Sequence, residues 1–488
     1  MRSVAILRET CSRFERRAPL TPRHVERLVG EHGVRVLVQP SARRVFADAD
    51  YAAAGAELRE DVSAATALLG VKAVPIELIE RLPGRTFAFF SHTIKGQEAS
   101  MPLLDACART GARLVDYECI RAAGSPAGAR LVAFGEFAGK AGAINALRGL
   151  GLRLAALGEH TPLLALRGAF EYESYAAACA ALANIGTALA APGALPAGRA
   201  PLAIAITGAS GNVGRGALHA LRQLGEAALQ LVTPAELGAP LALAAAPACA
   251  VRATALGAAD LVAPLKRGAR FDKAEYYARP ERYAPAFHER HLPHVDLLIN
   301  CAYWDERYPV LLTARHLADA AAAARARGER AQRLQMIADL SCDVGGALEP
   351  LVRTTTVDAP FFVFDFAAAA ERAAPHADGD GDEQAARIAA LRGDGVAVLG
   401  TDILPAELPR EASEHFGDAL LPFVPTLADR AVAARTFVDQ LDTSVVGGPA
   451  GLPREVWAAI VACDGTLTPC LLYTSPSPRC GLLSRRPS

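Results

Sequence analysis

The chain has 488 residues, more than one hydrophobic core ordinarily serves, so two domains are expected. Its 51 Lys and Arg balance 52 Asp and Glu, which leaves no basic field for nucleic acid or an anionic membrane surface. Uncharged runs such as Leu237 to Val251 are short and interrupted by Pro, and none spans a bilayer. Ten cysteines scattered from Cys11 to Cys480 form no C-x-x-C pair, the pattern of reduced thiols in a reducing compartment. The N-terminus lacks a secretory layout, and Val4 to Leu7 already reads as a strand. The cytoplasm is therefore expected, with the mitochondrial matrix as the alternative because early Arg and Ser resemble a presequence. Only five lysines occur, at 72, 95, 140, 266 and 273. Against an Arg-rich background, a retained amine marks positions where a removable proton matters, which directs attention to Lys72 and Lys95.

Apolar runs alternate with helical patterns from the start, the signature of parallel βα units. SVAIL (3–7) leads into a loop carrying Arg16 and Arg17, after which Thr21 caps and Pro22 opens a helix through Glu31. VRVLVQ (34–39), ATALLGV (65–71), TFAFFS (86–91) and ARLV (112–115) follow as strands. They stop at Lys72, at His92, and at Asp116 with Glu118. In an open parallel sheet, ligands bind outside the carboxyl ends of the strands, so polar groups at separate strand ends converge there. A lone His at such a place reads first as a backbone-bonded residue, and a lone Lys as a solvated charge. Together, Lys72 and His92 form an acid–base candidate.

Residues 134–151 read as a small-residue helix suited to close packing and to crossing between domains, and Pro and Gly around 192–201 mark a loop. LAIAI (202–206) then runs into Gly208, Gly211 and Gly214, a G-x-x-G-x-x-G turn opening a helix at about Asn212. Between strand and helix, this spacing predicts a dinucleotide pyrophosphate at the helix N-terminus. The next strand, 228–232, ends at Thr233, where an NAD site ordinarily has an acid; this favours NADP over NAD, although no arginine stands immediately beside it for a 2′-phosphate. VDLLIN (295–300) and MIADL (336–340) follow, with Asp339 and Asp343 around the second strand end. The acidic stretch 377–384 lacks the EF-hand pattern and reads as solvated. His288, His291 and His294 do not form H-E-x-x-H and Pro293 interrupts their helix, so no metal is expected. The last nineteen residues, 470–488, resemble translated adapter sequence and are set apart as a non-native tail.

RRAPLTPRHV, GVKAVP, FFSHTIKGQEASMPLLDA, RLVDYE, RLVAFGEFAG, LINCAYWDERYPVLLT, DLSCDVGGALE and LPAELPREASEHFGDALLPFV closely resemble the lysine-ketoglutarate reductase part of animal and plant aminoadipic semialdehyde synthase. More distantly, the plan resembles fungal saccharopine dehydrogenase and alanine dehydrogenase. The resemblance implies an α/β protein of two Rossmann-like domains with parallel sheets flanking a central cleft. Residues 1–133, completed by 359–469, would form the substrate domain, and 134–358 the dinucleotide domain. It further implies condensation of lysine with 2-oxoglutarate and reduction to saccharopine by NADPH, beside a fused or separate saccharopine dehydrogenase. Lys72 and His92 match the catalytic pair; Arg17 and Arg130 match the carboxylate-binding cations; Asp343 would receive the amino group, with Glu118 as helper. Gly208, Gly211, Asn212, Gly214 and Thr233 would hold the cofactor. The glycine turn is more like that of the fungal NAD enzyme, so NAD stays open as the alternative. Competing functions are an NAD-dependent saccharopine or alanine dehydrogenase and, in another class, a non-catalytic nucleotide-binding regulatory domain, hinted at by Ile403 where relatives carry a polar residue.

Overall fold

A computed structural model describes residues 2–96, 98–122, 130–196, 199, 201–237, 249–329, 332–371, 383–429 and 452–468. The tail 470–488 and acidic residues 377–382 lie outside the described residues. The chain divides into two compact units, one of Met1–Phe134 with the chain from Pro409 onward, the other Gly135–Leu408.

In the first unit, β1 (Ser3–Ile6), β2 (Arg35–Val38), β3 (Glu57–Leu58), β4 (Ala67–Leu69), β5 (Thr86–Phe89) and β6 (Arg113–Asp116) form a parallel sheet in the order β3-β2-β1-β4-β5-β6. Every residue of β1, β4, β5 and β6 is buried, as strands covered on both faces must be. Helices α1 (Pro22–Gly30), α2 (Asp48–Ala53), α3 (Ile76–Arg81) and α4 (Met101–Thr110) supply the crossovers. At the start of α1 the Thr21 N–H donates to His24 Nδ1 at 3.0 Å, satisfying a donor that the helix itself leaves unpaired. The strand order reverses between β1 and β4. A crevice at their carboxyl ends is the consequence of that topology.

In the second unit, α5 (Gly135–Ala156) and α6 (Tyr175–Leu189) precede β7 (Leu202–Thr207), and α7 (Asn212–Arg222) follows it. Then come β8 (Leu229–Leu231), β9 (Val251–Leu256), the antiparallel ribbon β10 (Val262–Pro264) with β11 (Tyr283–Pro285), β12 (Leu297–Asn300), β13 (Met336–Asp339), β14 (Phe361–Asp365), β15 (Ala370–Glu371) and β16 (Val396–Leu399). The sheet order is β15-β14-β16-β13-β12-β7-β9-β8, with only β14 and β15 antiparallel to their neighbours among the described residues. The glycines of α5 explain its composition. A Cβ at Gly139 would lie 1.9 Å from the Val213 carbonyl oxygen, and one at Gly216 would lie 2.0 Å from that of Glu136. The backbones of α5 and α7 touch, so the close packing expected for this helix is made with its own unit.

The resemblance puts the return to the first domain at about residue 359. Instead, β16 pairs parallel with β13 and β14 pairs antiparallel with β16, which carries the second unit through Leu408. After that boundary, the helix Pro409–Leu420 is tied into the first unit by Ser413, whose Oγ accepts the Ala18 N–H at 2.9 Å and donates to the Pro409 carbonyl at 2.6 Å. Two last strands, β17 (Ile460–Cys463) and β18 (Thr466–Leu467), extend the first sheet, β17 antiparallel to β6.

One buried carboxyl in the second unit affects its stability. Glu407 is 2% exposed; its Oε2 accepts Asn145 Nδ2 at 2.8 Å and the Phe170 N–H at 3.2 Å, while Oε1 has no hydrogen-bond partner among the described residues. Burial pushes its pKa up to about 7, with Asn145 and the Phe170 N–H opposing. Because the folded carboxyl holds its proton more tightly than the unfolded one, the cost of ionisation appears as pH rises from about 4.5 to about 7 and is complete above it. Glu407→Gln keeps the accepting oxygen and removes the charge. Its stability relative to wild type should grow across that interval by on the order of 3 kcal/mol, read from urea unfolding at a series of pH values.

Candidate functional site

The carboxyl ends of β5 and β6 are joined by a buried polar network. The Ser91 hydroxyl donates to Asp116 Oδ2 and lies 2.8 Å from Thr93 Oγ1, and the Thr93 N–H donates back to Ser91 Oγ at 3.3 Å. Asp116 Oδ1 accepts the Glu118 N–H at 2.8 Å. Burial raises the Asp116 pKa, opposed by Ser91 and the Glu118 N–H. His92 sits between the tied residues Ser91 and Thr93 with φ at 57°, in the left-handed region that His tolerates better than most residues. Such a conformation persists where the surroundings over-determine it. The His92 side chain is 34% exposed, and its Nδ1 lies 3.5 Å from Glu118 Oε2. Glu118, 3% exposed, also meets Arg130, whose Nη1 is 3.3 Å from Oε1. His92, Glu118 and Arg130 therefore form one contiguous group.

The ends of β1 and β4 carry the second group. Lys72 follows β4, and its backbone N–H donates to Glu9 Oε2 at 3.1 Å, while that of Val71 donates to Glu9 Oε1 at 2.6 Å. A cavity of about 230 Å³ is lined by Arg8, Glu9, Gln39, Lys72, Glu77 and Arg81, with others, at the crevice the strand order creates. Arg17 is 4% exposed; its Nε and Nη2 donate to Glu15 at 2.8 and 2.6 Å, and its guanidinium lies 4.2 Å from the Phe134 ring centre. Burial would raise the Glu15 carboxyl, but Arg17 outweighs it and holds the group below its ordinary value. The two cations expected for carboxylate binding thus each meet a glutamate already. Among the described residues the hydrogen bonds of Arg17 come from its backbone N–H, Nε and Nη2, which leaves Nη1.

Glu9 and Glu15 escape sequence reasoning. The available signal is an acid two residues past an apolar strand and another six further on, a weak pattern until the loop folds back over β4.

In the second unit the three glycines serve three purposes. Gly208 has φ at 62°, and a Cβ there would lie 2.6 Å from the Cys301 carbonyl oxygen. At Gly214 a Cβ would lie 2.4 Å from Ala209 Cα, so this residue sets how closely α7 approaches the turn. A Cβ at Gly211 would meet only the Gly208 oxygen, at 3.3 Å, and otherwise open space in front of the N-terminus of α7. That is the cradle a pyrophosphate requires, with Asn212 at the first helical position. The ends of β7, β12 and β13 are knitted as in the first unit: Thr207 Oγ1 donates to Asn300 Oδ1 at 2.6 Å and Asn300 Nδ2 to Asp339 Oδ1 at 2.9 Å. Asp343 is exposed on the loop past β13, one residue after Cys342, whose φ is 57°.

Thr233 differs from expectation. On the side of β7 away from β12 the neighbour is β9, paired residue for residue from Leu202 with Val251 to Thr207 with Leu256, and β8 lies outside it. Thr233 is one strand further from the glycine turn than its sequence position implies, and its N–H and hydroxyl both donate to Glu236, at 2.8 Å each. The position next to the turn is Gly257, whose N–H donates to Asp260 Oδ2 at 2.8 Å. The three spaced histidines do not converge either: the His288 ring stacks on His316 at 3.7 Å, and no cluster of three or more metal-ligating side chains occurs among the described residues. No helix among the described residues is long and apolar enough to cross a membrane.

Residues 5–141 match the family described as alanine dehydrogenase/PNT, N-terminal domain. The chain is 39% identical over 441 residues to the alpha-aminoadipic semialdehyde synthase of Arabidopsis thaliana, and 37% identical over 428 residues to the mitochondrial alpha-aminoadipic semialdehyde synthase of Bos taurus. It is similar to one part of these alpha-aminoadipic semialdehyde synthases. These matches cover 87% and 86% of this chain but 38% and 43% of the relatives, so the chain spans less than half of their length. An L-alanine dehydrogenase structure shares the fold, with a TM-score of 0.51 at 17% identity over 97% of this chain and 98% of that one.

The glycine geometry makes a divided expectation. Gly211→Ala should keep the wild-type melting temperature and weaken dinucleotide binding at least about tenfold, because its Cβ points where the backbone must approach the ligand. Gly214→Ala should instead lower stability by about 1–3 kcal/mol through forced backbone displacement. Melting curves paired with calorimetric titration of the dinucleotide separate the two.

Proposed function

We propose that the chain is a lysine-ketoglutarate reductase, condensing L-lysine with 2-oxoglutarate and reducing the product to saccharopine with NADPH, in lysine degradation. The observation that carries this reading is the row Lys72, His92 and Glu118 past three neighbouring strand ends, in a relative of the semialdehyde synthases.

The chemistry needs a proton removed from the lysine ε-amine before it attacks the ketone, and a proton delivered to the carbinolamine hydroxyl so that water leaves. Lys72 and His92 take these acid–base roles. Glu118, 3.5 Å from His92 Nδ1, stabilises the imidazolium when His92 holds the proton. Arg17 offers Nη1 to a substrate carboxylate, its other edge fixed by Glu15. Arg130, exposed and 3.3 Å from Glu118, can turn from that glutamate to the second carboxylate. Asp343, an exposed carboxylate past β13, has the chemistry to receive an amino group. Gly208, Gly211 and Gly214 would hold a reduced nicotinamide dinucleotide, which when bound would supply a hydride. NADPH is favoured because Asp260, past the strand beside the turn, has its Oδ2 engaged by the Gly257 N–H. The greater length of the relatives supports a saccharopine dehydrogenase, fused or separate, as the functional partner, and the mitochondrial name of the Bos taurus protein favours the matrix over the cytoplasm.

NADPH oxidation should require lysine and 2-oxoglutarate together. Equal or faster turnover with NADH would overturn the cofactor assignment and make Asp260 a ribose ligand. Turnover of pyruvate and ammonia without any on lysine would replace the substrate assignment with an alanine dehydrogenase.

The acid–base roles have their own test. Lys72→Met and His92→Gln should each lower kcat by about 10² to 10⁴ while leaving the fold and NADPH binding intact. The double variant should lose less than the product of the two, since both act in one sequence of proton transfers. An unchanged kcat in Lys72→Met removes that residue from the mechanism.

A further inference from the structure

Glu9 has no part in the chemistry above, yet it is 8% exposed and faces the cavity that Lys72 also lines. Its two oxygens accept the N–H groups of Val71 and Lys72, the residues that carry the chain out of β4. Gly70 leaves room for this: a Cβ there would lie 3.3 Å from the Lys72 carbonyl oxygen and 3.6 Å from Glu9 Oε1. A side chain from the end of β1 therefore sets the backbone from which the Lys72 side chain departs.

We propose that Glu9 is a positioning residue for Lys72, gripping the turn after β4 by both carboxylate oxygens and so aiming the amine into the cavity. The proposal rests on the acid–base reading of Lys72. An ionised carboxylate accepts at both oxygens, whereas the protonated acid, like glutamine, keeps one full acceptor and turns a donor toward the other N–H. The grip is complete only while Glu9 is charged.

The charged and titratable neighbours of Glu9 come from four loops: Cys11, Glu15 and Arg17 beside it, Lys72 past β4, Tyr117 past β6 and Arg44 past β2. Burial, then Glu15, push the Glu9 carboxyl up to about 7, against the Val71 and Lys72 N–H groups and Arg17. The grip therefore loosens as pH falls through neutrality.

The five lysines make the test direct. Reductive ¹³C-dimethylation of the full chain places one labelled amine at each, and Lys72→Arg assigns the signal of Lys72. In wild type the Lys72 signal should move between about pH 6 and 8. In Glu9→Gln that movement should vanish and the signal should be displaced, while the other four signals hold. In unlabelled protein, kcat should fall about 10²-fold, the usual cost of a misplaced group, with the KM for NADPH unchanged. A Lys72 signal that ignores both pH in this range and the Glu9→Gln change overturns the proposal; should the variant fail to fold, a flat wild-type titration overturns it alone. Full turnover in Lys72→Met, with the Lys72 signal still following Glu9, would sink the acid–base reading and leave the positioning contact standing.

Discussion

Strands buried on both faces have no side to spare for chemistry, and this constraint organises the first unit. The register makes Ile6 level with Leu69, Leu69 with Ala88, and Ala88 with Val115, so four parallel strands finish on one line. The polar groups of this region come from the residues that follow each strand. Glu9, Lys72, His92 and Glu118 are brought into one row from positions spread over more than a hundred residues because the sheet aligns their strand ends.

Holding charged groups in that row demands internal compensation. A buried guanidinium without a partner costs several kcal/mol, and Arg17 meets the requirement through both oxygens of Glu15. Asp116 is served by the Ser91 hydroxyl and the Glu118 N–H. Both arginines of this region, Arg17 and Arg130, already meet a glutamate. A carboxylate ligand placed there would compete with, or add to, an existing pair.

The second unit applies the same geometry with a different set of residues. Thr207, Asn300 and Asp339 tie three strand ends together with hydrogen bonds where the first unit uses Ser91 and Asp116. The glycine turn, by contrast, works through missing atoms. Gly208 turns the chain, Gly214 admits α7 and Gly211 leaves space, and the backbone contact between Gly139 and Val213 seats α7 against α5. Removing a Cβ allows a backbone to approach a ligand or another helix more closely than any side chain permits.

The alternation of strand and helix, the polar residues past each strand and the glycine spacing were legible in the sequence because each is a pattern within a few residues, set by the periods of strand and helix. Lys72 and His92 could be singled out on that basis. Which strands become neighbours is not local information. The insertion of β9 between β7 and β8 moved Thr233 away from the glycine turn, and the pairing of β16 with β13 moved the unit boundary from 359 to 409. Glu9, Glu15 and Ser91 were invisible as site residues for the same reason: a carboxylate or hydroxyl acquires its role from the donors it meets, and Glu9 meets Val71 and Lys72 only once β1 and β4 lie side by side. The sequence by itself determined the strands around Lys72, His92 and the glycine turn; tertiary pairing decided which strand ends meet, because hydrogen bonds between strands depend on distance in space and are indifferent to distance along the chain.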